Sequence, residues 1–171
     1  MSLLSILSGV QGEVSVVFNG KRALFVAESN ELQVRLIEGH FPNYNAVIPQ
    51  DSATNVKLSK TEFLDALKRV IPMGNIASGL VRLCFSRMEI CVFAEDKDYG
   101  KSAKGLVTCD YMGEDLEIGF DGRVLSECLR MLDGDEVCVE LRGALRPGVL
   151  TEAHEGVRNE YLSMAMPMRL E

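Results

Sequence analysis

The chain has 171 residues, 47% hydrophobic and 25% charged, with a formal net charge of -7. That is enough apolar material for one good core or two small ones. No run approaches the roughly 20 apolar residues of a membrane helix, and the acidic balance speaks against nonspecific coating of nucleic acid while leaving room for a local basic face.

No membrane partner is expected. The N-terminus lacks a basic stretch followed by an apolar segment and a small-residue cleavage site, which predicts a cytoplasmic protein. The five cysteines, Cys84, Cys91, Cys109, Cys128 and Cys138, are odd in number, sit inside apolar runs and show no C-x-x-C spacing. That pattern predicts buried free thiols rather than a disulfide framework or a zinc site.

In chain order, residues 1–8 (MSLLSILS) look like the back end of a helix stopped by Gly9. Strand-like runs follow at Glu13 to Phe18, with Val14, Val16 and Phe18 on one face, at Arg22 to Ala27 after an Asn19-Gly20 turn, and at Leu32 to Ile37. An Asn-Gly pair between alternating runs is a strong hairpin signal. The stretch Arg35 to Pro49 then turns at Gly39 and is held extended by Pro42 and Pro49. It reads as a connector, and its Phe41, Tyr44, Val47 and Ile48 imply that it lies against something.

A second helix-plus-strands unit opens with Ser59-x-x-Glu62, a capping-box pattern, and continues through Phe63, Leu64, Ala66, Leu67, Val70 and Ile71 until Pro72 and Gly74 end it. Strands are expected at Leu80 to Phe85, Glu89 to Ala94, Leu106 to Tyr111 and Leu116 to Phe120, with a loop from Glu95 to Lys104. A third unit begins at Asp121, a plausible N-cap, with Val124, Leu125, Cys128, Leu129 and Leu132 on the buried face, followed by strands at Glu136 to Leu141, Gly148 to Ala153 and Tyr161 to Leu170. This internal repeat predicts an α+β fold of repeated helix-plus-antiparallel-strands half-domains.

No catalytic constellation is present. His40 and His154 have no nearby Cys or Ser partner. No cofactor or metal is expected, because Glu95-Asp96-x-Asp98 lacks the spacing and glycine of a calcium loop and reads as a solvated loop.

RLIEGHFPNYNAVIP (35–49), LEIGFDGRVL (116–125) and MAMPMRL (164–170), in that order and spacing, closely resemble the bacterial sliding clamp family, the beta subunit of DNA polymerase III. The resemblance covers nearly the whole chain. It implies a DNA clamp fold in which two full-length chains close a homodimer ring of similar domains, with helices lining a hole around duplex DNA. On that pattern residues 1–44 correspond to the second half of a middle domain and 45–171 to a complete third domain. The chain then reads as an expressed C-terminal half, with Met1-Ser2-Leu3 and Glu171 as vector residues.

The resemblance also implies roles. Peptides of polymerase, clamp loader and repair proteins would insert apolar side chains into a groove at Pro42, Val47, Val124, Met164, Met166, Pro167, Met168, Arg169 and Leu170. Methionine suits such a surface because it repacks around different anchors; the bland alternative is that these methionines are core. Many members carry an aromatic residue where Val124 stands and often a basic one where Ala46 stands, and an aromatic can occupy the position of Ser78, which implies a shallower and less selective pocket. Lys60, Lys68, Arg69, Arg123 and Arg130, offset by Asp65 and Glu127, would face double-stranded DNA without sequence preference. Ile71, Pro72 and Met73 match subunit-joint positions. The expected function is a non-enzymatic processivity factor in DNA replication; the alternative is a small α+β protein-interaction module that uses the fold without enclosing DNA.

Overall fold

The computed structural model describes residues 12–27, 30–41, 43–51, 53–153 and 161–170. The helix expected over 1–8, Pro42 and His154 lie outside them. The chain divides into two compact units, Met1–Tyr44 and Asn45–Glu171.

In the first unit, β1 (Ser15–Asn19), β2 (Arg22–Ala27) and β3 (Asn30–Arg35) form an antiparallel meander in the order β1-β2-β3. Asn19 pairs with Arg22, so the tight turn is Gly20-Lys21, one residue later than the Asn-Gly signal suggests, with Gly20 at φ +51°. Register places Val16 beside Phe25 and Phe18 beside Ala23. The expected buried face is only partly realised: Ala23 and Ala27 are buried, whereas Val16 is 43% and Phe18 68% exposed. β1 is an edge strand with a partner on one side only, and all of its residues are exposed.

The second unit holds two βαβββ repeats: β4 (Thr54–Ser59), α1 (Lys60–Val70), β5 (Leu80–Ser86), β6 (Glu89–Asp96) and β7 (Lys101–Asp110), then β8 (Leu116–Asp121), α2 (Gly122–Arg130), β9 (Glu136–Leu141), β10 (Gly148–Glu152) and β11 (Leu162–Ala165). They share one eight-stranded sheet in the order β11-β10-β9-β4-β7-β6-β5-β8. Each repeat lends its first strand to the other: β4 pairs with β9, and β8 pairs with β5. The β4·β7 pair joins the two halves.

β4 has no counterpart among the strands expected from sequence. Its alternation is short, with Val56 and Leu58 inward among polar neighbours, and its strand character comes from partners about 80 residues downstream. The expected loop from Glu95 to Lys104 is also corrected, since the ladder continues to Asp96 opposite Lys101 and leaves a four-residue turn. Asp96 is buried and its Oδ1 accepts from the backbone N–H groups of Asp98 and Tyr99, while Gly100 takes φ +61°. The polar composition that suggested a loop is turn chemistry plus the outward face of two strands.

Both helices pack on the sheet beside one another. Ser59 Oγ accepts from the Glu62 N–H at 3.3 Å, the serine half of the capping box, and Phe63, Ala66, Leu67 and Val70 face the core. Gly105 gives α1 room, because a Cβ there would lie 3.3 Å from Ala66 Cβ. Asp121 caps α2 by accepting from the Arg123 N–H at 2.9 Å. Leu125, Ser126, Leu129 and Leu132 are buried, but Val124 is 46% exposed and Cys128 half-buried. Val124 sits on the flank of the α2 stripe, one helical step of about 100° before Leu125. All five cysteines are free, and only Cys109 is fully buried. The others lie on β-strand or helix faces that point partly outward.

Candidate peptide-binding and nucleic-acid surfaces

The last strand is shorter than expected. β11 ends at the buried Ala165, packs against α2, and the chain then crosses to the far edge of the sheet. Pro167 has no N–H to offer, but Met168 N donates to Gly119 O at 2.8 Å and forms a single antiparallel bridge to β8. Gly119 makes this approach possible: a Cβ there would stand 2.7 Å from Leu170 Cδ2 and 3.0 Å from the Met168 carbonyl oxygen.

This tail carries most of the residues assigned to a groove. Met166 is 61% exposed and Arg169 is exposed, whereas Met164, Pro167, Met168 and Leu170 are half-buried. The exposed Val124 stands on α2, the helix that β11 packs against. Beside the tail is a hollow of about 350 Å³ walled by Asn75, Ser78, Leu80, Arg82, Met168 and Arg169, with Lys97 and Asp98 at its rim. The small Ser78 leaves this space open. Val47 is 47% exposed on the connector. The expectation that the connector's apolar residues lie against something is only partly met: Phe41 is 84% and Tyr44 58% exposed, in edge-to-face contact with each other, and among the described apolar residues of the connector Leu36, Ile48 and Pro49 are half-buried.

The cations expected to meet DNA fall into two groups. Lys60 is half-buried and its Nζ donates to the carbonyls of Leu132 and Asp133 at 2.9 and 3.3 Å, closing the end of α2. Arg123 is gripped by its own helix cap, with Nη2 2.8 Å and Nε 3.0 Å from the Asp121 carboxylate, and its Nη1 donates to Ile76 O. Those bonds hold the Asp121 carboxyl below its ordinary range. Lys68, Arg69 and Arg130 are exposed and make no ion pair among the described residues. A hollow of about 400 Å³ between the helices is lined by Lys68, Ile71, Pro72, Arg123, Glu127 and Arg130. The sequence signals charge on these faces, and only the fold shows which cations are already engaged.

Of the joint residues, Ile71 is half-buried against the core, while Pro72 and Met73 are exposed in the 3-10 turn that ends α1. Among the described residues no cluster of His, Cys, Asp or Glu is placed to hold a metal, and no helix is long and apolar enough to cross a membrane. Burial pushes the Cys109 thiol up to about 11 and raises those of Cys84, Cys128 and Cys138.

The chain is 28% identical over 169 residues to the beta sliding clamp of Bacillus subtilis, covering 98% of this chain and 44% of that protein. It is 27% identical to the clamp of Synechococcus elongatus over 95% of its own length and 44% of the relative's. It therefore spans less than half the length of these relatives. The crystal structure of the Bartonella birtlesii sliding clamp, DNA polymerase III subunit beta, bound to griselimycin superposes with a TM-score of 0.79 at 26% identity over 97% of this chain and 44% of that one. The clamp of Caulobacter crescentus shares the fold with a TM-score of 0.80 at 24% identity, over 97% of this chain and 43% of that one. With residues 45–169 matching the family described as the C-terminal domain of the DNA polymerase III beta subunit, the chain belongs to the bacterial sliding clamps and has their α+β fold.

Proposed function

We propose that this chain is the C-terminal half of a sliding clamp that encircles duplex DNA as part of a cytoplasmic homodimer ring and docks peptides of polymerase, clamp loader and repair proteins. Residues 1–44 are then the second half of the middle domain and 45–171 the third domain. The supporting observation is a division of labour in the second unit. The exposed Lys68 and Arg130, from neighbouring helices, line one hollow, with Arg69 exposed next to Lys68 in α1, and the tail crossing β8 presents Met166 and Arg169 beside an open hollow, with Val124 exposed on the helix next to it.

The chemistry fits a clamp that works without catalysis. Three exposed cations on paired helices meet phosphates loosely, giving salt-sensitive contact that does not resist sliding. Enclosure, not affinity, then supplies processivity. The tail surface offers half-buried methionines that adapt to an apolar anchor, with the exposed Arg169 beside them to meet a peptide carbonyl or carboxylate. Pro72 and Met73 form the apolar part of the subunit joint. A titration of a fluorescein-labelled polymerase-derived peptide tests the groove: saturable binding that Met166→Asp and Val124→Asp each weaken at least tenfold supports it, and unchanged affinity in both variants refutes it.

A second reading, a protein-interaction module that does not enclose DNA, draws on the engagement of Lys60 and Arg123 within the fold, which leaves fewer cations for phosphate than the sequence suggests.

A further inference from the structure

The end of the connector is tied to the sheet by an ion-pair cluster that the functions above do not use. β4 pairs with β9 up to Thr54 opposite Leu141, so the residues just before β4 run beside those just after β9. There Arg142 turns inward, with its side chain 7% exposed. Its Nε donates to the Asp51 carbonyl oxygen at 2.9 Å and lies 3.3 Å from Asp51 Oδ1, and its Nη2 donates to Glu140 Oε2 at 2.8 Å. Arg146, from the same β9–β10 loop, reaches the Asp51 carboxylate at 3.2 Å. Gly143, at φ +108°, lets the loop fold back so that both arginines converge on one carboxylate.

Two features separate this cluster from ordinary surface charge. Arg142 Nη1 is buried with no hydrogen-bond partner among the described residues, a cost that an outward-pointing arginine would avoid. The connector it holds has little else to fix it. Asn45, Ala46, Val47 and Gln50 are exposed, and only Ile48 and Pro49 are half-buried. A segment with so little burial opens locally unless something polar pins it. From Asp51 back to Val47 the path is short, and Pro49 restricts both itself and Ile48 to extended geometry. A fixed Asp51 therefore transmits its position to Val47.

We infer that Arg142 is the positioning residue of the connector, fixing residues 45–51 through Asp51 and thereby setting how Val47 is presented to a bound peptide. The second half of this statement rests on the proposed groove; the first does not. The experiment measures amide hydrogen exchange by mass spectrometry in the whole chain, for wild type, Arg142→Met, Arg142→Lys and Asp51→Asn, together with anisotropy titration of the polymerase-derived peptide. Arg142→Met and Asp51→Asn accelerate exchange across 45–51 about tenfold, Arg142→Lys recovers part of the protection, and exchange in β10 stays at the wild-type rate. Peptide affinity falls about fivefold in Arg142→Met and less in Arg142→Lys. Unchanged exchange in 45–51, or acceleration spread equally over β10, overturns the positioning role. Selective acceleration in 45–51 with no peptide binding by any form, wild type included, upholds the positioning role and refutes the groove.

Discussion

The tail crossing offers a perturbation whose size can be worked from the structure. Gly119→Ala places a methyl 2.7 Å from Leu170 Cδ2, 2.9 Å from Leu80 Cδ1 and 3.0 Å from the Met168 carbonyl oxygen. The two leucine contacts are ends of flexible side chains and can rotate away. The Met168 oxygen is backbone, next to the N–H that donates to Gly119 O at 2.8 Å, so it moves only if the bridge lengthens. Overpacking of one methyl at a site that partly yields costs about 1 kcal/mol, and weakening the bridging hydrogen bond costs about 1 more. The sum of about 2 kcal/mol is roughly a thirtyfold change in the folding constant. Urea unfolding followed by far-UV circular dichroism reads it as a lower midpoint at constant slope. The double variant Gly119→Ala/Leu170→Ala removes one of the clashes, so its cost is less than the sum of the single costs. Because the shift is local to the tail, peptide affinity falls in Gly119→Ala as well. A midpoint and an affinity both equal to wild type refute the assignment of Gly119 as the seat of the tail.

Asp121→Ala removes the α2 cap and costs about 1 kcal/mol near neutral pH. The folded Asp121 carboxyl lies below its ordinary 3.8, so its stabilisation is complete above that value and is lost as pH falls through the lowered one; wild type and variant converge in acid unfolding once the pH is below the lowered value. At pH 8, Cys109, pushed up to about 11, resists iodoacetamide until the chain unfolds, and peptide mass mapping finds it labelled only in urea. On the proposed clamp reading, Lys68→Gln with Arg130→Gln in a full-length protein containing these residues lowers the slope of log DNA affinity against log salt by up to about 1.8, at about 0.9 per phosphate contact. Lys60→Met leaves that slope unchanged and lowers the urea midpoint, because its ammonium closes α2 instead.

How much of this was legible in the sequence depended on the range of the interactions. The two described helices were, since Ser59, Asp121 and the apolar stripe of α1 are local signals that agree with one another. The repeat was legible too, as successive helix-plus-strands runs. What escaped was set by distant partners. β4 carries only Val56 and Leu58 as inward residues, and it is a strand because β9 and β7 flank it. The role of Lys60 depends on carbonyls 72 and 73 residues away. Arg142 sits in an unremarkable Arg-Gly loop, and nothing near it in sequence announces Asp51. At the tail, the motif MAMPMRL carried part of the family resemblance, but which methionine faces outward followed from the crossing to β8, where Met166 is exposed and Met168 is tied to Gly119.

The central claim is enclosure. The full-length protein containing these residues, placed by its clamp loader on nicked circular DNA and passed over a sizing column, stays with the circle in high salt and is released once a restriction enzyme linearises the DNA. Dissociation from circular and linear DNA at the same rate, or retention on linear DNA with open ends, contradicts it.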